Sequence, residues 1–210
     1  MSIDHDIFLA FTTPVVGRED AFNEWYDSRH VPEVLKYGRG FTGCQRFKLQ
    51  AEAQTGPVAP WKYLAMYDLD CDDLAALAER PWAVESPPLT SFRGLLEDDH
   101  VGWTFTLRDA PQQPPGSERQ QRNPPFQILL AWRTAAPVDD SIVHRNRGSS
   151  YRAVHTYELA GPQRRRQMDC PWRGLVIYTF EETAELPSLD GFDGAWRFAP
   201  VSRYVARGEP

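Results

Sequence analysis

Residues 18–50 read REDAFNEWYDSRHVPEVLKYGRGFTGCQRFKLQ. Apolar residues fall at 22, 25, 26, 31, 34 and 35, the spacing of one buried helix face, and Gly38 supplies a C-terminal stop. The continuation FTGCQRFKLQ, 41–50, alternates in part and predicts a strand. The helical stretch also carries Asp27, Arg29 and His30 within four residues, with Pro32 two beyond the histidine. The stretch therefore predicts one helix leading into a strand, with chemistry on the helix.

Its neighbours fill in a repeating order. DIFLAFTT (6–13) and KYLAMYDLD (62–70) are apolar runs that predict buried strands, and VGWTFTLRD (101–109) alternates as a strand does. DDLAALAERP (72–81) predicts a short helix, with Asp72 as cap and Pro81 at its end. The order is βαββαβ, a ferredoxin-like unit. Residues 109–125, DAPQQPPGSERQQRNPP, hold five prolines and no large apolar side chain, and read as a linker.

Beyond it, FQILLAWRT (126–134), YRAVHTYELA (151–160), WRGLVIYTFEE (172–182) and FAPVSRYVAR (198–207) predict four more strands. The intervening PVDDSIVHRNRGSS is too short and polar for a full helical layer, and LPSLDGFDGAW allows one or two turns. The expected fold is α+β. Two tandem ferredoxin-like units, 1–108 and 126–210, form an α/β-barrel pseudo-dimer, the second unit with eroded helices. Each sheet would have a bare face for the other to cover, and an eight-stranded barrel can hold side chains or one small ligand.

Composition narrows the function. The chain has 210 residues and a formal net charge of -6, which argues against a nucleic-acid binder and for small-molecule or protein partners. No apolar run approaches the roughly 20 residues of a membrane span. MSIDHDIFLAF does not read as a signal peptide. Cys44, Cys71 and Cys170 form no CxxC pair, which fits a reducing cytoplasm and opposes a disulfide scaffold or cysteine-based zinc site. HxH, HExxH, G-x-G-x-x-G, P-loop and G-x-S-x-G patterns are absent, so no metal or nucleotide cofactor is expected. HRNRGSSYR and QRRRQ read as solvated basic loops, and His5, His100 and His144 stand in polar, turn-like settings.

The segment from Phe22 to Leu49 resembles the dimeric α/β-barrel superfamily, and within it the EthD-like group. The resemblance rests on Trp25, Tyr26, His30 and Pro32, then Gly40-Phe41, then Arg46-Phe47, and extends over about 6–108. It implies the fold above, with two units in one chain in place of the usual homodimer, although such chains could pair again. Related families include cofactor-free monooxygenases, isomerases, cyclases, decarboxylases and haem-dependent peroxidases, so the resemblance implies fold more firmly than reaction.

Helical spacing puts Asp27 and Tyr26 within reach of His30, as partners that would fix its tautomer. His30 is then the candidate general acid or base; the alternative is a histidine bonded to a backbone carbonyl released by Pro32. Arg46 shares a strand face with Cys44 and Lys48, while Phe47 and Leu49 suit the helices, so Arg46 is expected inside the barrel, holding a substrate anion. Tyr63 and Tyr67 flank Ala65 on one face, and Tyr151, Ala153, His155 and Tyr157 share another. Tyr63, Tyr67, His155, Tyr157 and Trp103 are the candidate binding residues. The expected function is a cofactor-free lyase, isomerase or decarboxylase acting by proton transfer on a small aromatic or polyketide-like molecule. The alternatives are a cofactor-independent monooxygenase, a non-catalytic ligand- or haem-binding barrel, and a structural protein with a filled barrel.

Overall fold

The computed structural model describes residues 5–83, 86–109, 126–145, 151–161, 163, 169–181 and 188–209. Eight strands carry the fold: β1 (Asp6–Thr12), β2 (Phe41–Thr55), β3 (Tyr63–Leu69), β4 (Val101–Asp109), β5 (Phe126–Arg133), β6 (Tyr151–Leu159), β7 (Gly174–Glu181) and β8 (Gly194–Pro200). A two-residue strand, β9 (Val205–Ala206), adds to the edge of β2. The hydrogen-bonded order is β3-β1-β4-β6-β7-β5-β8-β2, and β2 pairs again with β3, which closes the sheet on itself. Every pairing is antiparallel.

This closed antiparallel β-barrel overturns the expectation of two tandem βαββαβ units in an α/β barrel, and with it the resemblance to the EthD-like group of dimeric α/β barrels. The halves stand side by side, β2-β3-β1-β4 and β6-β7-β5-β8, and are joined into one continuous sheet through the β4–β6 and β2–β8 seams. Closure gives each of the eight strands a neighbour on both sides, so no strand edge is left for a helical layer to cover. The helices are correspondingly slight: α1 (Glu19–Trp25), α2 (Val31–Tyr37), α3 (Leu74–Glu79) and α4 (Asp140–Arg145), with a π-turn (Tyr26–His30) joining α1 to α2. The expected linker lies outside the described residues except for Asp109, at the end of β4, as do parts of both basic loops.

The barrel interior is a solid apolar core. Ile7, Leu9 and Phe11 of β1 point in, as do Leu64 and Met66 of β3, Ile128, Leu130 and Trp132 of β5, and Leu175 and Ile177 of β7. Trp61, Trp103, Trp132, Trp172 and Trp196 pack there ring against ring, with Trp132 and Trp196 centroids 4.4 Å apart. Gly194 makes that approach possible, since a Cβ there would sit 2.3 Å from the Trp132 ring.

The outer faces are covered too. All seven residues of β3 are buried, because the barrel takes one side and the α1–α2 layer the other. Strands buried on both sides read as unbroken apolar runs, which is why they stood out in the sequence. α3 begins two residues later than expected, and its cap is Asp73, whose carboxylate accepts from the Ala76 N–H at 2.9 Å, not Asp72. Among the described residues of the second half a single short helix, α4, forms in the stretch that offered too little for a full layer. No helix among the described residues is long and apolar enough to cross a membrane.

Candidate functional site

The site lies outside the barrel, between its wall and the α1–α2 layer, and a break in that layer shapes it. Pro32 has no N–H to donate back into the preceding turn. The Val31 N–H reaches five residues back to the Tyr26 carbonyl, the bond of a π-turn, and the Ser28 hydroxyl donates to the Glu24 carbonyl at 2.6 Å. In a regular α-helix, residues five apart point about 140° from each other. Here the wider turn brings His30 under Trp25, stacked at 4.7 Å between centroids and 21° between planes. Tyr26 meets the same imidazole edge-on at 4.8 Å.

The layer is pinned by a polar chain on the outer face of β2 and β3. Arg46 is buried; it donates to Asp27 Oδ1 at 2.8 Å and to Asn23 Oδ1 at 2.7 Å. Its guanidinium lies 4.3 Å from the Tyr26 ring centroid. Asn23 donates to the Tyr63 hydroxyl, Tyr63 donates to Glu19, and Glu19 pairs with Lys48 at 2.7 Å. Three strand residues thus hold one face of α1, and a charged Arg46 is tolerable there because both its forks are satisfied.

The placement of Arg46 corrects the expectation of an inward arginine. Phe47 enters the barrel core and Arg46 faces the helices. A closed interior offers no partner for a guanidinium, whereas the ends of α1 offer Asp27 and Asn23. Asp27 is therefore engaged by Arg46 and does not hold His30.

His30 is left without a hydrogen bond to orient it. Its Nδ1 is buried and has no partner among the described residues, so neither the carboxylate nor the backbone-carbonyl reading describes it. Burial first lowers His30 from 6.5 to about 4; the Glu33 carboxylate pulls the other way, and the Arg46 charge adds to the lowering. The imidazole is neutral at neutral pH. Burial also raises Tyr26 and Tyr67 well above the usual phenol range, so both stay protonated.

His30 stands at the junction of two cavities. The smaller, about 90 Å³, runs between Val34, Phe41, Leu77, Ala78 and Tyr67. The larger, about 380 Å³, is lined by Trp25, Leu89, Thr90, Ser91, Phe92 and His100. Phe8, Ala10, Tyr26, His30 and Trp82 belong to both, so the two adjoin as neighbouring lobes. A strap of residues 86–96 covers it; the Val15 N–H donates to Leu95 O near its end, and ahead of it the Ala83 N–H donates to Tyr37 O. In its middle Glu33 accepts from both the backbone N–H and the hydroxyl of Thr90.

Of the candidate residues, His30, Tyr26 and Tyr67 line this space, while Arg46, Asp27 and Tyr63 form the pinning chain behind it. Trp103 and Tyr157 lie in the barrel interior; His155, paired across strands with Ile177, faces the same way and does not join them at the cavity. Phe8, Trp82, Phe92 and His100 are wall residues that sequence reasoning did not single out. The length of the irregular stretch before β4 was the available signal, since long structureless loops in compact domains tend to be functional. Among the described residues no group of three or more His, Cys, Asp or Glu could hold a metal ion.

No family model and no curated protein matches the chain. One solved structure is similar in fold, an "anthrone oxidase-like protein", with a TM-score of 0.53 and 9% identity over 100% of this chain and 97% of that one. The likeness is one of fold. Neither it nor the cavity supports the lyase or isomerase chemistry expected from the sequence: with Asp27 on Arg46, the expected acid–base pair with His30 is not formed.

Proposed function

We propose that the chain is an enzyme that oxidises a flat, electron-rich aromatic molecule bound in the two-lobed cavity, with His30 as the proton acceptor. The observation that carries this is the neutral imidazole, unbonded at its buried Nδ1 and held between Trp25 and Tyr26 where the two lobes meet. The walls are aromatic enough to take fused rings. The description of the structural neighbour points to the same substrate class, an anthrone.

In the proposed reaction His30 accepts a proton from the acidic methylene between two aryl rings. An imidazolium buried alone is unfavourable, but beside the anion it has just created the pair offsets much of that cost. The resonance-stabilised anion gives its electrons to dioxygen and forms a carbon–oxygen bond. The resulting peroxide loses water to leave a carbonyl, so methylene and dioxygen become ketone and water. The raised phenols of Tyr26 and Tyr67 remain donors at the edge of the cavity.

The test is oxygen uptake and quinone absorbance with anthrone as substrate. His30→Gln is expected to lower the rate by about 10²–10⁴, the usual worth of a positioned base. An unchanged rate in a folded variant removes His30 from the chemistry.

A further inference from the structure

The two lobes differ in size and in chemistry, and the difference selects among aromatic substrates. The larger lobe, at about 380 Å³, is more than twice the roughly 150 Å³ that suffices for a benzene ring, and it accepts a fused ring system. Its outer wall offers the hydroxyls of Thr90 and Ser91 and the imidazole of His100. The smaller lobe, about 90 Å³, is below the size of a ring. It has room for about three water-sized groups, and Val34, Phe41, Leu77, Ala78 and Pro81 give it largely hydrocarbon walls. Gly38 fixes the position of Phe41 in this wall: a Cβ there would meet the Phe41 ring at 2.7 Å and the Val34 carbonyl at 2.5 Å.

We infer that the smaller lobe is a subsite for a short alkyl substituent, so that the preferred substrate is a fused-ring aromatic carrying a chain of one to three carbons. This rests on the reading of the cavity as the substrate site. The five shared wall residues let one molecule occupy both lobes, with its ring system against Trp25 and Trp82 and its substituent passing His30. A water-filled apolar lobe gains by exchanging its water for hydrocarbon. A longer chain exceeds its volume.

The experiment is an anaerobic binding titration, which prevents turnover, with anthrone and its 2- and 3-alkyl derivatives bearing methyl, propyl and hexyl groups. In one of the two series affinity is expected to rise about fourfold per carbon up to propyl, roughly sixtyfold in all, and to fall again at hexyl. Ala78→Leu, with its fold checked by near-UV circular dichroism, is expected to bring the propyl-to-anthrone affinity ratio close to one. If anthrone binds but affinity is flat or falls from methyl onward in both series, the alkyl subsite is wrong while the reading of the site stands. If anthrone does not bind, or binds equally well to a His30→Phe variant that fills the junction, both fall.

Discussion

Two patches of the barrel's outer wall are covered by the chain, and they are built differently. Over β5, β6 and β7 the cover is α4 with Val138, Leu189 and Phe192, packed on Leu129, Ala131, Val154, Val176 and Tyr178. Over β1, β3 and β4 the cover is α1, the π-turn, α2, α3 and the strap, and it leaves space between Phe8, Ala10 and the helices. The wall itself is alike in both places, an outward row of apolar residues between inward ones. What differs is the cover. Among the described residues a short helix with aliphatic side chains packs directly on its strands, whereas a longer helix interrupted by a π-turn carries rings that leave space beside them. The proposed site of this barrel lies in the cover, while the interior is packed with side chains.

The contrast is broken most severely from inside. Trp132→Ala removes a ring that contacts both Trp172 and Trp196, and is expected to cost about 3–5 kcal/mol in urea unfolding. The ligand affinity of the fraction still folded should not change, because the interior and the cavity are on opposite sides of the wall. Arg46→Met comes next. It orphans Asn23 and Asp27 and frees one face of α1, at about 2–4 kcal/mol, toward the low end because Asp27 is half exposed. Here ligand affinity should fall with stability, since the same helix carries Trp25 and leads into Tyr26.

A pH series sharpens the comparison. The folded protein holds His30 at about 4 against 6.5 when unfolded, so between these values the unfolded chain binds the extra proton. That part of the stability is complete above pH 6.5 and is lost as pH falls toward 4. His30→Gln should flatten the slope in this window, measured by urea midpoints from pH 4 to 7. Thr90→Val has the smallest expected effect, below about 1 kcal/mol, because the Glu33–Thr90 contact is exposed. Its signature is kinetic: stopped-flow on- and off-rates of ligand rise together while affinity barely moves.

The strands were legible because both of their faces are covered, and continuous burial writes itself as continuous apolar sequence. The same property hid the architecture. When inward and outward residues are both apolar, alternation no longer says which side is which; on β2 the faces do differ, but the apolar side of Phe47 was given to the helices and that of Arg46 to the barrel, the reverse of what forms. An eight-stranded barrel was expected, but which strands join the halves was not legible, since the β4–β6 and β2–β8 seams join residues far apart in sequence and leave no local pattern. His30 and Tyr26 could be found because Pro32 follows them, but the π-turn that sets their direction could not be told from a regular helix by apolar spacing alone. His100 looked like an ordinary turn residue; only the return of the strap to the start of β4 brings it to the cavity.

The seven tryptophans of the chain fall into two optical populations. Five form the stack inside the barrel, with centroids as close as 4.4 Å, near enough to share excitation and to give a coupled signal in circular dichroism. The other two, Trp25 and Trp82, line the cavity. The protein thus carries one built-in gauge of barrel integrity and a second, separate gauge of occupancy, readable in the same cuvette without a label.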